Sequence, residues 1–104
     1  MRTFKATLIT PQGSLFDGTV TSVVAPGEEG RFEVMARHEN IIAVLKKGIL
    51  KMKVENAATF FAIDSGVLEV DGNRDVVILA DKAIKAESEE DAKQKVLTIE
   101  TSVA

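Results

Sequence analysis

Residues 60–84, FFAIDSGVLEVDGNRDVVILADKAI, constrain the fold more than any other stretch. Three short apolar, largely β-branched runs, residues 60–64, 67–70 and 76–80, are separated only by Ser65-Gly66 and the polar segment 71–75. Asp71-Gly72-Asn73 is the strongest hairpin signal in the chain, because a turn with positive φ takes Asp, Asn or Gly at little steric cost. Turns this short predict antiparallel pairing, since a parallel crossover needs about a dozen residues or more.

A chain of 104 residues is one domain by default. It can bury roughly two-thirds of its unfolded surface, enough for one core. With 45% apolar residues it is expected to fold rather than stay disordered. Five Phe and no Trp or Tyr leave that core to Val, Ile, Leu and Ala. The absence of Cys excludes disulfides and thiolate metal sites. A formal charge of −3 argues against nucleic acid as a partner, since phosphates select basic faces. No apolar run approaches a membrane span and the N-terminus lacks a signal-peptide core, so a soluble chain is expected, with membrane contact only through a partner.

In chain order, residues 3–10 alternate, with Phe4, Ala6 and Leu8 on one face and Lys5, Thr7 and Ile9 on the other, as in a half-buried strand. Pro11-Gln12-Gly13 is a turn. Residues 14–25 read as a second strand interrupted at Asp17-Gly18. The loop at 26–30 carries two glycines and two acids. Residues 32–35 are strand-like, 36–40 polar and loop-like, and 41–45 continuously apolar. Along 49–54, Leu50, Met52 and Val54 alternate with Lys51 and Lys53. After Ala83 the pattern becomes helical. Ser88 is a plausible N-cap, with Glu89, Glu90 and Asp91 in the first turn, where negative charge complements exposed amides. Ala92, Val96, Ile99 and Val103 follow at helical spacing, so one helix is expected over about 89–100. Many short strands followed by one short C-terminal helix predict a mostly β fold, an antiparallel β-sandwich or a small barrel.

Little in the chain points to catalysis. His38 is the single histidine, no GxSxG pattern occurs, and Ser65-Gly66 is turn chemistry. A zinc site would need nitrogen or sulfur donors beyond His38, and the chain has no second His and no Cys. Glu28, Glu29 and Glu33 lack calcium-loop spacing and read as a solvated acidic surface. No phosphate-binding loop is present, and no cofactor is implied.

One feature does point to function. Antiparallel sandwich strands normally alternate, with one face wet. The runs 41–45 (IIAVL) and 76–80 (VVILA) do not, so both faces of each need cover. Either a partner surface supplies it, since exposed apolar patches mark interaction sites, or the tail helix does.

These residues resemble a known family. Gly66-Val67-Leu68-Glu69-Val70, followed by the run 76–84 (VVILADKAI), is similar to the GGILEV…VTVLADTAI signature of the epsilon subunit of F-type ATP synthases. Glu29-Gly30-Arg31-Phe32, then His38 and Gly48, resemble that family's loop and histidine stretch, and Phe16 and Gly18 its early F-x-G. The resemblance covers residues 4–84. The chain departs from the family's usual Gly at Glu33, Arg37 and Ser65, and from its usual Pro near Ala36 and at Asn40, so an altered path over 33–40 is expected. Only about twenty residues follow Ile84, where the family carries a two-helix hairpin, so neither the inhibitory helix insertion nor the ATP-sensing motif is expected.

The resemblance implies a ten-stranded sandwich domain over 1–84 and a helical tail over 85–104, at the foot of a rotor's central stalk. It implies a gamma subunit and the c-ring loops as partners, on the cytoplasmic face of the bacterial inner membrane, with no catalytic residue of its own. Carried over by position, the gamma-facing set is Thr10, His38 and Ala43, to which the apolar run adds Ile42. The c-ring-facing loop contains Glu28 and Arg31. Two other readings remain open: a free-standing module holding a small ligand in a barrel mouth, and an enzyme using Glu28, Glu29 or Glu33.

Overall fold

The computed structural model describes residues 2–37 and 39–99. Ten strands, β1 (Phe4–Thr10), β2 (Gly13–Val20), β3 (Ser22–Gly27), β4 (Gly30–Met35), β5 (Ile42–Leu45), β6 (Gly48–Val54), β7 (Ala57–Ile63), β8 (Gly66–Val70), β9 (Val76–Ala80) and β10 (Ala83–Ala86), precede the helix α1 (Glu89–Thr98). The fold is mostly β, as expected. One layer runs β2-β1-β9-β8-β5 and the other β4-β3-β6-β7-β10. A single pair, Gly27 with Leu45, joins the ladders at one corner. The core lies between the layers. Leu8, Leu45, Leu68 and Ile78 of the first meet Val23, Leu50, Met52, Phe61 and Ile63 of the second, all essentially buried. Phe16 of β2 meets Phe61 of β7 edge-on at 6.1 Å, closing the side away from the joined corner.

Three expectations need correction. The pairing is mixed, because β1 and β9 run parallel, with Leu8 beside Ile78. The short-turn argument governs strands adjacent in sequence; β1 and β9 meet across most of the chain, where no turn sets direction. Next, the stretch 60–84 is not one block. β7 lies in one layer and β8 with β9 in the other, and the chain changes layers at Asp64-Ser65. That corner is pinned: Ser65 Oγ donates to Asp81 Oδ2 at 2.7 Å, Asp81 N–H to Ser65 O at 3.0 Å, and buried Asp64 N–H to Lys82 O at 3.1 Å. Finally, the interruption falls at Thr21 rather than Asp17-Gly18. β1 pairs straight across Asp17 and Gly18, and a cross-strand ladder outweighs weak local propensity. Thr21 N–H and Oγ1 both donate to Lys53 O, at 2.7 and 3.1 Å, and bend the chain there.

The hairpin at 71–75 forms as expected, and side-chain bonds reinforce its backbone ones, Arg74 N–H to Asp71 O and Asp71 N–H to Asp75 O, both at 2.9 Å. Asp71 Oδ1 accepts from Asn73 N–H at 2.8 Å and Asp75 N–H at 3.1 Å. The positive φ falls on Arg74, at 65°. Gly66 is needed for a close approach, since a Cβ there would lie 2.2 Å from Leu79 O. Gly66→Ala is expected to cost about 1–3 kcal/mol through overpacking, visible in a thermal melt as a fall in Tm of roughly 5–20 °C.

The helix begins where the cap predicts. Asp91 N–H donates to Ser88 Oγ at 3.0 Å, and Glu87 N–H donates back to Asp91 Oδ2 at 2.9 Å. The Lys95 ammonium, 2.8 Å away, and then the Glu87 amide hold the Asp91 carboxyl below its ordinary value of 3.8. A depressed folded value means that Asp91 stabilises the helix start above 3.8 and loses that contribution as pH falls through the lower folded value. Ser88→Ala is expected to cost about 1 kcal/mol, seen as faster amide exchange along α1 alone. Ala92 and Ile99 are buried against the sheet and Val96 is half-buried. Val103 lies outside the described residues. Lys51 ties sheet to helix, its Nζ 5.5 Å from the centre of the Phe60 ring and 4.0 Å from Glu89 Oε1.

Candidate functional site

The two continuous apolar runs resolve into inner and outer faces. In β5, Leu45 enters the core and Ala43 is half-buried opposite buried Leu68, while Ile42 and Val44 point outward. In β9, Val76, Ile78 and Ala80 are buried and Leu79 is outward. Register then assembles a surface. Val44 lies opposite Val67, Val67 opposite Leu79, and Leu79 beside Ile9, giving an apolar row across four strands. The next row is Ile42, Glu69, Val77 and Thr7. Ile42 is 72% exposed, Val44 55%, Leu79 54% and Val67 37%, so the row is open to solvent. α1 packs on β6, β7 and β10 of the other layer, so it does not cover this face. Covering a Val or Leu side chain fully is worth about 1.5–3 kcal/mol, so the face carries a large drive to bind something.

The residues singled out from sequence fall in different places. Ile42 stands on the apolar face. Ala43 and Glu28 line, with Ile42, one recess of about 340 Å³ beside the β3–β4 hairpin. Glu28 N–H donates to Val44 O at 2.9 Å, which fastens that hairpin to β5. Arg31, exposed and opposite Pro26, lines a different groove between α1 and the sheet. Thr10 is 6% exposed; its Oγ1 donates to Gly13 O at 3.3 Å and accepts from Gln12 N–H at 3.2 Å, closing the β1–β2 turn. His38 lies outside the described residues. Glu33 leaves the acidic loop altogether and pairs with Lys53 at 3.5 Å. Arg37 and Ser65, which stand where glycine is usual in the resembling family, have φ of 70° and 117°. Arg37 thus holds a conformation that glycine adopts more cheaply.

Sequence reasoning missed Val67, Leu79 and Ile9 as parts of one surface. Their signal is the pairing register, since each belongs to a strand that separately looks ordinary. Among the described residues, no group of three or more His, Cys, Asp or Glu side chains could hold a metal ion.

The class so defined is a two-layer β-sandwich with one uncovered apolar sheet face. Comparison with known proteins is more specific. Residues 3–86 match the family described as the ATP synthase Delta/Epsilon chain, beta-sandwich domain, and the chain belongs to that family. The ATP synthase epsilon chain of Helicobacter pylori strain 26695 is 40% identical over 91 residues, covering 88% of this chain and 73% of the relative. That of Chlorobium limicola is 37% identical over 81 residues, covering 77% of this chain and 92% of the relative. Among solved structures, a chain of the Euglena gracilis mitochondrial ATP synthase superposes with a TM-score of 0.76 at 23% identity, over 92% of this chain and 62% of that one. A chain of the Tetrahymena thermophila mitochondrial ATP synthase, in its central stalk and c-ring, gives 0.67 at 22% identity, over 80% of this chain and 66% of that one. These two likenesses show the fold.

Proposed function

We propose that this chain is a non-catalytic rotor component of an ATP synthase, packing on the gamma subunit and touching the c-ring to couple ion translocation to ATP synthesis or hydrolysis. The carrying observation is the row of exposed Val44, Val67 and Leu79 with half-buried Ile9, which the chain's own helix leaves open. Gamma takes this face, with Ile42 and the half-buried Ala43 at its edge and Thr10 and His38 in the family's remaining positions. The β3–β4 hairpin, with Glu28 and Arg31, meets the c-ring loops. Among the described residues no helix is long and apolar enough to cross a membrane, so attachment to the cytoplasmic face of the membrane comes through the complex. A stiff sandwich suits torque transmission, because a close-packed interior passes strain on rather than yielding.

Co-expression with a gamma subunit and native mass measurement test this. A stable complex is expected. A monomer that carries a small molecule and ignores gamma would favour the ligand-binding module instead.

A further inference from the structure

One end of the sandwich carries three exposed arginines outside the set assigned above to the gamma and c-ring contacts. Arg2, Arg37 and Arg74 line a single recess of about 290 Å³, together with Asn73 and Asp75. None of the three makes an ion pair or a side-chain hydrogen bond among the described residues. Two of them stand in left-handed backbone, Arg37 at φ 70° and Arg74 at φ 65°. Glycine or asparagine takes that conformation at less cost, and at Arg74 the hairpin turn imposes it. The two nearby carboxylates accept backbone amides and keep their charge. Asp71 Oδ1 accepts two amides of its own turn, and Asp75 Oδ1 accepts Lys5 N–H at 3.3 Å. Three arginines against Asp75 and the neighbouring Asp71 leave an excess of one formal positive charge there, in a chain whose formal charge is −3.

We propose that this recess binds a small phosphate-class oxyanion in the forks of Arg2, Arg37 and Arg74. Guanidinium matches such anions with paired N–H donors, and a recess of about 290 Å³ lies at the lower limit for drug-sized ligands. Free phosphate and a phosphomonoester share this chemistry, so both are probes. The recess adjoins the open end of the β3–β4 pair, where Met35 lies opposite Ser22, and not its Glu28-Glu29 turn, and its test needs no gamma subunit.

The full chain is titrated at low ionic strength with inorganic phosphate and, separately, glycerol 3-phosphate, by calorimetry and amide NMR. Saturable binding is expected, with shifts confined to residues 2–4, 36–37 and 73–75; the tighter probe names the source. Arg37→Gly and Arg74→Gly each weaken binding about tenfold or more, with Tm unchanged or raised because glycine relieves the backbone. Arg37→Lys, which keeps charge and loses the fork, weakens it less. Lys47→Gln, in the β5–β6 loop at the other end, leaves it unchanged. Absent binding, or equal weakening by Lys47→Gln, would mean an adventitious ion only and overturn the proposal. Capture of an acidic peptide through the arginines without phosphate binding would overturn it in favour of a protein-docking surface.

Discussion

Val44→Asp and Leu79→Asp are expected to leave the sandwich folded and to abolish association with gamma. Both side chains are more than half exposed in the free chain, 55% and 54%, so a carboxylate there stays hydrated until a partner approaches. Docking then strips water from a charge that faces an apolar surface. Loss of a central apolar contact combined with an unpaired buried charge costs about 3 kcal/mol or more, roughly a hundredfold or more in Kd. Thermal melts of the variants should overlay that of the parent, while co-purification with gamma fails. A variant that melts normally and still binds gamma would remove the apolar row from the interface.

Ile78→Asp should act on the other side of the same strand and unfold the protein. Ile78 is 0% exposed, opposite Leu68 in β8 and beside Leu8 in β1. An aspartate there loses an apolar side chain and either ionises in the core or takes up a proton at large cost. The expected penalty of about 4 kcal/mol or more compares with a total stability of about 5–15 kcal/mol for a domain. Circular dichroism is expected to show loss of the cooperative transition, or a large drop in Tm. The contrast between neighbouring residues in β9, one needed to fold and one to bind, follows from the two-residue period of a strand.

Much of this was legible in the sequence, and the reasons it stopped where it did are physical. Strand positions follow from apolar periodicity and turn chemistry, so β6, β8, β9, the Asp71 turn and the Ser88 cap appear where local rules put them. Layer assignment does not follow from local rules. Asp64-Ser65 looks like any tight turn, yet it carries the chain from one layer to the other, and its fixing bonds reach to Asp81 and Lys82. The parallel β1–β9 pair is likewise invisible to turn arguments. The boundary expected at 84/85 cuts β10 in half, because Ala83–Ala86 is short and partly polar, and only its pairing with β7 makes it a strand. For the surface, sequence showed that 41–45 and 76–80 were apolar on both faces. It could not show that their outer residues share rows with Val67 and Ile9, because that is decided by register. At Thr10, the hydroxyl bonds that close the β1–β2 turn are likewise visible only in the structure.

The chain contains no cysteine, so single thiols placed by Val44→Cys and Leu97→Cys report on two exposed apolar positions, one on the row and one on α1. The rate of alkylation at each, with and without gamma, tests the central claim most directly. Gamma is expected to slow labelling at position 44 strongly and to leave position 97 unchanged. Equal labelling of position 44 in the free chain and in a verified complex would contradict the account.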